Sequence, residues 1–217
     1  MLAPPLVRGN LATRTGSLLV GLFLFAAGIV LLFESGLGLS PWDVLNQGVS
    51  EHTPLSFGAA NIAVALIVLA VAWALGAHVG PGTAANAIFI GLFVDALLAI
   101  EAIDGLSERP LAARIVMMAA GIGTIGVGSA FYIGAGMGAG PRDSLMLVLG
   151  QRYRTRIGIV RAALEIAVIV VGFSLGGTVG IGTVAFALGI GPSVELAFWL
   201  LERSPLADPA PDVSHAV

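Results

Sequence analysis

The stretch GLGLSPWD, Gly36–Asp43, separates two long apolar runs, and GMGAGPRD, Gly136–Asp143, restates it one hundred positions later. Each copy places a glycine-rich lead-in before a proline and an acid. Ser40 is a preferred N-cap, Pro41 suits the first position of a helix, and Asp43 at the third can complete a capping box. The second copy has the same order of cap, proline and acid: Gly140, Pro141 and Asp143. Both stretches therefore predict the start of a helix.

The composition places these two motifs in a membrane. Of 217 residues, 57% are hydrophobic and only 11% are charged, whereas soluble domains are about a quarter charged. Six apolar runs are long enough to cross a bilayer, which takes about 20 residues. They are approximately Gly16–Phe33, Phe57–Leu75, Thr83–Ile100, Ile115–Ile133, Ile157–Leu175 and Thr183–Leu201. We therefore predict an all-α polytopic membrane protein, with a disordered polar tail over residues 206–217.

The chain also contains an internal repeat. A shift of one hundred residues aligns 11–101 with 111–201 without a gap, and LGAHVGPGT, Leu75–Thr83, meets LGGTVGIGT, Leu175–Thr183. Apolar residues match by chance, so the matched glycine, proline and aspartate residues carry the evidence. The sequence predicts two related halves, which together hold about six transmembrane helices and two short helices.

These landmarks resemble a known family. GLGLSPWD after the first span, GAGPRDSLML in the second half and VGIGTVAFALGIGP near the end are similar to the YczE/YyaS-like bacterial integral membrane proteins. A more distant similarity is to the YitT group. The resemblance covers roughly Arg14 to Leu201. It implies a multi-spanning protein of the bacterial inner membrane, and it implies no particular site residues.

Each short helix is interpreted as a re-entrant half-helix. About ten residues rise only about 15 Å, half of a hydrocarbon core. Irregular backbone at membrane depth needs protein or a water-filled cavity around it, and broken helices at matching positions of two halves point to a transporter's binding site. The alternative is a pair of ordinary surface loops. The candidate site residues on this basis are Ser40, Pro41, Asp43, Gly138, Pro141 and Asp143.

The sequence allows the two halves to be either inverted or parallel in the membrane. Half-helices that do not cross give each half three spans and make the halves inverted, whereas crossing helices make them parallel. The loop Arg152–Arg156 is basic, and its counterpart at 52–56 contains no arginine, which favours inverted halves. The equivalent Arg14 and Arg114 favour parallel ones. The positive-inside rule predicts cytoplasmic N- and C-termini in both cases.

Four ionisable residues inside the predicted spans are further candidates. Asp95 and Glu195 take equivalent positions in the third and sixth spans, and an acid in mid-span is a functional candidate by default. The alternative is that both lie near span ends and reach the headgroups. Arg161 and Glu165 are four residues apart and can pair on one helix face, either as a structural pair or with Arg161 as an anion anchor.

The sequence lacks the patterns of a catalytic or cofactor site. It has no cysteine, and its three histidines fall in loops or the tail without clustered metal ligands. The glycine-threonine turns follow no strand and precede no lysine, unlike a phosphate-binding loop. No basic face large enough for a nucleic acid is present. We therefore expect no cofactor, no metal, no nucleic-acid partner and no enzymatic activity.

Two classes of function remain. The first is a small-solute transporter or channel-like permease of the bacterial inner membrane, with half-helix N-termini at a central site. Helix N-termini attract anionic groups, so an anion or a zwitterion is the expected solute. The alternative is a non-transporting membrane scaffold or regulator, whose glycine-rich faces bind a partner protein or a second copy of the chain.

Overall fold

The computed structural model describes residues 5–100 and 105–208, and eight α-helices and a short 3-10 turn build those parts of the chain. Six helices are long and apolar enough to cross a membrane. The predicted all-α polytopic class is confirmed. The helices are α1 (Leu11–Ser35), α2 (Pro41–His52), α3 (Phe57–Ala74), α4 (Pro81–Leu98), α5 (Leu111–Gly134), α6 (Pro141–Arg152), α7 (Ile157–Ser174) and α8 (Ile181–Glu202), with the 3-10 turn at Leu106–Glu108.

Helix ends depart from the predicted spans where a polar residue caps the helix. α1 begins at Leu11 rather than Gly16, because the Asn10 side chain accepts a hydrogen bond from the N–H of Thr13 at 3.0 Å. α8 begins at Ile181, so Thr183 lies one turn inside it, where its hydroxyl accepts the N–H of Gly180 at 3.2 Å. The apolar run therefore marks the membrane-crossing part of a helix, and the capping residues mark its ends.

α1 and α5 pack together antiparallel. Gly21 lies against Gly128 and Gly28 against Gly121, so close that a Cβ on Gly21 would sit 2.8 Å from the carbonyl oxygen of Gly128. Only small residues let two backbones approach in this way. Because α1 and α5 run in opposite directions, the chain must cross the membrane an odd number of times between the start of α1 and the start of α5. The helices α1, α3 and α4 account for three crossings. This count leaves α2 as a helix that does not cross, in keeping with its 12 residues, or about 18 Å.

Two arginines hold the ends of this central pair. Arg14 donates from Nε to the carbonyl oxygen of Ala135 at 2.7 Å, and Arg114 donates from Nε to that of Ser35 at 2.7 Å. The last carbonyls of a helix have no partner within the helix, so each arginine caps the end of the other half's first helix. The presence of an arginine at both positions therefore follows from this capping and does not require parallel halves.

Residues 6–8 and residues 206–208 lie side by side. The N–H of Val7 donates to the carbonyl oxygen of Gly134, and the N–H of Arg8 donates to that of Leu206, both at 2.8 Å. Residues 206–208, at the start of the predicted disordered tail, pair through their backbone with residues 6–8. The remainder of that tail lies outside the described residues. The start of α1 and the end of α8 consequently share one end of the helix bundle.

Candidate functional site

The N-termini of the two short helices meet inside the molecule. Pro41 is the first residue of α2, and Ser40 caps it by accepting the N–H of Asp43 at 3.3 Å. Arg142, the second residue of α6, places its Nη2 3.9 Å from Oδ1 of Asp43 and stacks 5.2 Å from the ring centroid of Trp42. The paired motifs, one hundred residues apart in sequence, thus form one charged cluster.

The carboxylates of Asp43 and Asp143 bind side-chain donors and do not form the capping box that the sequence suggests. Asp43 is 1% exposed, and its carboxylate accepts hydrogen bonds from the Ser40 hydroxyl and from Nδ2 of Asn46. Asp143 accepts a hydrogen bond from the Tyr132 hydroxyl at 3.0 Å. Within the described residues, neither carboxylate accepts a hydrogen bond from a backbone N–H. Both acids are therefore available to an electrostatic network.

Gly38 and Gly138, in the two glycine-rich lead-ins, lie at equivalent positions that require glycine. Gly38 and Gly138 have φ of +120° and +128°, a region that side chains strongly disfavour. A Cβ on Gly138 would lie 2.6 Å from Oγ1 of Thr83, and one on Gly38 would lie 2.7 Å from the backbone nitrogen of Gly180. Each lead-in thus packs on the start of the last helix of the opposite half.

A cavity of about 190 Å³ adjoins this junction. Four charged residues line it, two of each sign: Arg142, Asp143, Arg161 and Glu165. Arg161 and Glu165 form the ion pair expected from their spacing, with Nε 2.8 Å from Oε1. Apolar residues of α8, Phe186, Ile190 and Val194, line another part of the wall. The cavity therefore combines fixed charges with an apolar surface.

Two buried donors on the cavity wall lack a partner. Nε1 of Trp42 and Nδ2 of Asn61 are both inaccessible and make no hydrogen bond with the residues that the structure describes. Both residues line the cavity. An unpaired buried donor costs about 1–3 kcal/mol, so an acceptor atom that reached these N–H groups from the cavity, from water or from a solute, would lower the free energy.

The other pair of candidate acids lies away from the cavity. Asp95 accepts a hydrogen bond from the N–H of Gly58 at 2.7 Å and another from the Ser56 hydroxyl. It therefore holds the N-terminus of α3. Glu195 is exposed on α8, and the structure gives it no hydrogen bond or ion pair within residues 5–100 and 105–208. Neither acid lines the cavity.

Some residues of the site were not among the candidates predicted from the sequence: Trp42, Asn61, Tyr132 and Arg142. The sequence does contain a signal for them. The cavity coincides with positions at which the two halves differ in polarity. Leu32 corresponds to Tyr132, Trp42 to Arg142 and Asn61 to Arg161. Departures from the repeat therefore mark the site together with the matched proline and aspartate of the two motifs.

Comparisons with known proteins place the chain in a family. The model of the Family of unknown function (DUF6198) matches residues 12–198. An uncharacterized protein of Haemophilus influenzae is 38% identical over 188 residues, which cover 87% of this chain and 84% of that protein. The uncharacterized membrane protein YczE of Bacillus subtilis is 32% identical over 184 residues, 84% of each chain. The uncharacterized protein YyaS of the same organism is 26% identical over 166 residues, 76% of this chain and 82% of that one. No solved structure matches.

Proposed function

The chain belongs to the DUF6198 family and is similar to the membrane protein YczE and to YyaS, and from this premise we propose that it is a small-solute permease of the bacterial inner membrane. The observation that carries the proposal is the charged cavity where the N-termini of α2 and α6 meet. Charged residues within a membrane protein mark solute or ion pathways. Half-helix N-termini at a central cavity are the usual means by which transporters bind solutes.

The solute class follows from the balance of charge. The four charged residues that line the cavity sum to zero, and Asp43 behind Arg142 adds one negative charge. Each half-helix N-terminus contributes roughly +0.5, which brings the site back to about neutral. A zwitterion fits this balance better than a simple anion. Its acidic group would meet Arg142 and the unpaired N–H groups of Trp42 and Asn61, and its ammonium group would meet Asp143.

The size of the cavity restricts the solute further. A volume of about 190 Å³ lies below the roughly 300–1,000 Å³ typical of pockets for drug-sized ligands. The expected solute is therefore a small zwitterion, of the size of an amino acid or a short betaine. The apolar wall contributed by Phe186, Ile190 and Val194 would receive a short hydrocarbon side chain or methyl groups.

The arginine distribution gives the orientation that we propose. The bundle end that carries the start of α1 and the end of α8 also carries the start of α7. Arg8, Arg14, Arg203 and the loop Arg152–Arg156 therefore lie there. Arg109 and Arg114 lie at the other end, beside the C-terminus of α1. By the positive-inside rule the first end faces the cytoplasm. Both chain termini are then cytoplasmic.

Uptake into proteoliposomes tests the function. The purified protein would be offered radiolabelled alanine and glycine betaine as zwitterions, acetate and phosphate as anions, and sodium as a cation. We expect saturable uptake of a zwitterion, and at least about a tenfold loss on Arg142→Gln or Asp143→Asn, because each removes an interaction with a charged solute group worth about 1.5–3 kcal/mol. Glu202→Gln is the matched control, since it removes an exposed charge at the end of α8.

The same preparation distinguishes the alternative function. A scaffold or regulator would move none of the five probes, and it would co-purify with one stable partner whose binding survives Arg142→Gln. Uptake of an anion without a zwitterion would retain the permease and overturn the solute class. Uptake that is unchanged by both cavity substitutions would place the pathway elsewhere in the molecule.

A further inference from the structure

Helices α3 and α4 of the first half are closed on each other through three residues. A Cβ on Gly58 would lie 2.1 Å from the carbonyl oxygen of Gly91, and a Cβ on Gly91 would lie 2.3 Å from that of Gly58. Asp95 adds the hydrogen bond to the N–H of Gly58 at 2.7 Å. Backbone contact of this kind is possible only where both residues are small.

The second half carries the same three elements but leaves them apart. Gly158, Gly191 and Glu195 lie one hundred residues after Gly58, Gly91 and Asp95. A Cβ added to Gly158 or Gly191 would meet nothing within 4 Å. α7 packs mainly on α2, through Gly172 against Val44 and Leu45, and does not pack along α8 as α3 packs along α4. The small residues needed for closure are thus present without the contact.

Two polar groups in the second half are left without the partners that their counterparts have. Arg156, the N-cap residue of α7, makes no side-chain capping bond, whereas Ser56 accepts the N–H of Ala59 at 3.1 Å and donates to Asp95. Glu195 is exposed in the middle of a predicted span, where an unpaired charge is costly. Closure of α7 on α8 would bring the Glu195 carboxylate to the N-terminus of α7 and to the Arg156 guanidinium.

The open gap lies beside the cavity. α7 contributes Arg161 and Glu165 to the cavity wall, and α8 contributes Phe186, Ile190 and Val194. α8 also contains Pro192, where the first half has Leu92. Proline removes one backbone hydrogen bond and is a common site of helix bending. α7 and α8 are therefore walls of the cavity, and α8 contains a proline that its counterpart in the first half lacks.

We propose that α7 and α8 close on each other through Gly158, Gly191 and Glu195, in the manner of α3 and α4, and that this closure occludes the cavity from the cytoplasmic end. The inference deepens the proposed function, since it supplies the gate of the same cavity. Inverted halves that exchange open and closed arrangements are a recognised basis of alternating access. The described state is then open at the arginine-rich end and closed at the opposite end.

Cross-linking tests the closure without any solute. The chain has no cysteine, so two matched pairs can be introduced at exposed positions. The first pair is Thr53→Cys, in the loop before α3, with Ile100→Cys, just after α4. The second pair is Tyr153→Cys, in the loop before α7, with Leu200→Cys, near the end of α8. A bis-maleimide reagent, chosen as the shortest that cross-links the first pair fully, is then applied to the second pair in nanodiscs. We expect the second pair to cross-link too, because a short reagent accumulates even a minor closed state.

Glycine variants separate a specific closure from random motion. Gly158→Leu should slow cross-linking of the second pair by about tenfold or more, because an extra side chain would overpack the closed contact. It should leave the folded yield unchanged, since the site is open in the described state. Gly123→Leu is the control, because Gly123 also has nothing within 4 Å but lies on α5. It should change the rate by less than about twofold.

The outcomes separate this inference from the proposed function. The closure is wrong if the Tyr153–Leu200 pair does not react while the Thr53–Ile100 pair reacts fully, or if Gly158→Leu and Gly123→Leu have equal effects. If the second pair closes specifically but the protein transports none of the probes, the closure is supported and the proposed permease function is wrong. If a probe is taken up but the second pair does not close, the permease function is supported and the proposed closure is wrong.

Discussion

Replacement of Gly138 by alanine gives the sharpest measure of how tightly the two halves are joined. Gly138 lies in the lead-in to α6, with φ of +128°. Its missing side chain faces the first turn of α4, where a Cβ would lie 2.6 Å from Oγ1 of Thr83 and 3.2 Å from Cα of Gly80. The substitution therefore adds both backbone strain and a steric conflict between the halves.

The two effects can be given magnitudes. A side chain at this φ costs about 1–3 kcal/mol of strain, and overpacking of a tight contact costs about 1–3 kcal/mol more. Alanine lowers the entropy of the unfolded chain, which offsets about 0.4–1 kcal/mol. The expected net loss in the free energy of unfolding is about 1–5.6 kcal/mol. The backbone strain and the entropy offset apply equally to any other glycine of positive φ.

Comparison with an alanine substitution at a second glycine of positive φ isolates the steric contribution. Gly176 has φ of +83° and nothing within 4 Å of a would-be Cβ, so Gly176→Ala carries the strain without the steric conflict. The difference between Gly138→Ala and Gly176→Ala should be about 1–3 kcal/mol. SDS-induced unfolding in mixed micelles measures both free energies. Gly38→Ala against Gly76→Ala repeats the comparison in the first half. If Gly138→Ala is no more destabilising than Gly176→Ala, the lead-in does not pack on α4 as described.

Three further predictions concern helix ends and orientation. Arg114→Met should lower the free energy of unfolding by about 1.5–3 kcal/mol, because it removes a charged donor from the carbonyl oxygen of Ser35; thermal unfolding would contradict this capping role by showing no shift. Asp95→Leu should lower the free energy of unfolding by about 1.5–3 kcal/mol, because the hydrogen bond to the N–H of Gly58 is lost. Glu195→Leu should leave that free energy unchanged within about 0.5 kcal/mol or raise it, because it removes an unpaired charge from a predicted span; equal losses would be inconsistent with the different surroundings of the two acids. A cysteine at Arg8 should react with a membrane-impermeant maleimide only after the cells are permeabilised, and reaction in intact cells would reverse the proposed orientation.

The sequence alone was sufficient for features that depend on neighbouring residues. The apolar runs predicted six crossing helices, because burial in lipid requires a minimum length of apolar chain. Ser40 and Pro41 predicted the start of α2, since capping and the fixed φ of proline act within one turn. The Arg161–Glu165 pair followed from a spacing of four on one helix. Each of these depends on separations of a few residues, which the sequence displays directly.

The tertiary structure alone determined which distant residues meet. Asp95 and Glu195 are equivalent in sequence, yet one caps α3 and the other is exposed, because α3 lies on α4 while α7 stands away from α8. The antiparallel packing of α1 on α5 likewise depends on Gly21 and Gly128, more than one hundred residues apart. Helix packing in a membrane is a sum of many weak contacts between small residues. The same glycines permit a closed and an open arrangement of two helices, so only the folded chain shows which arrangement each half adopts.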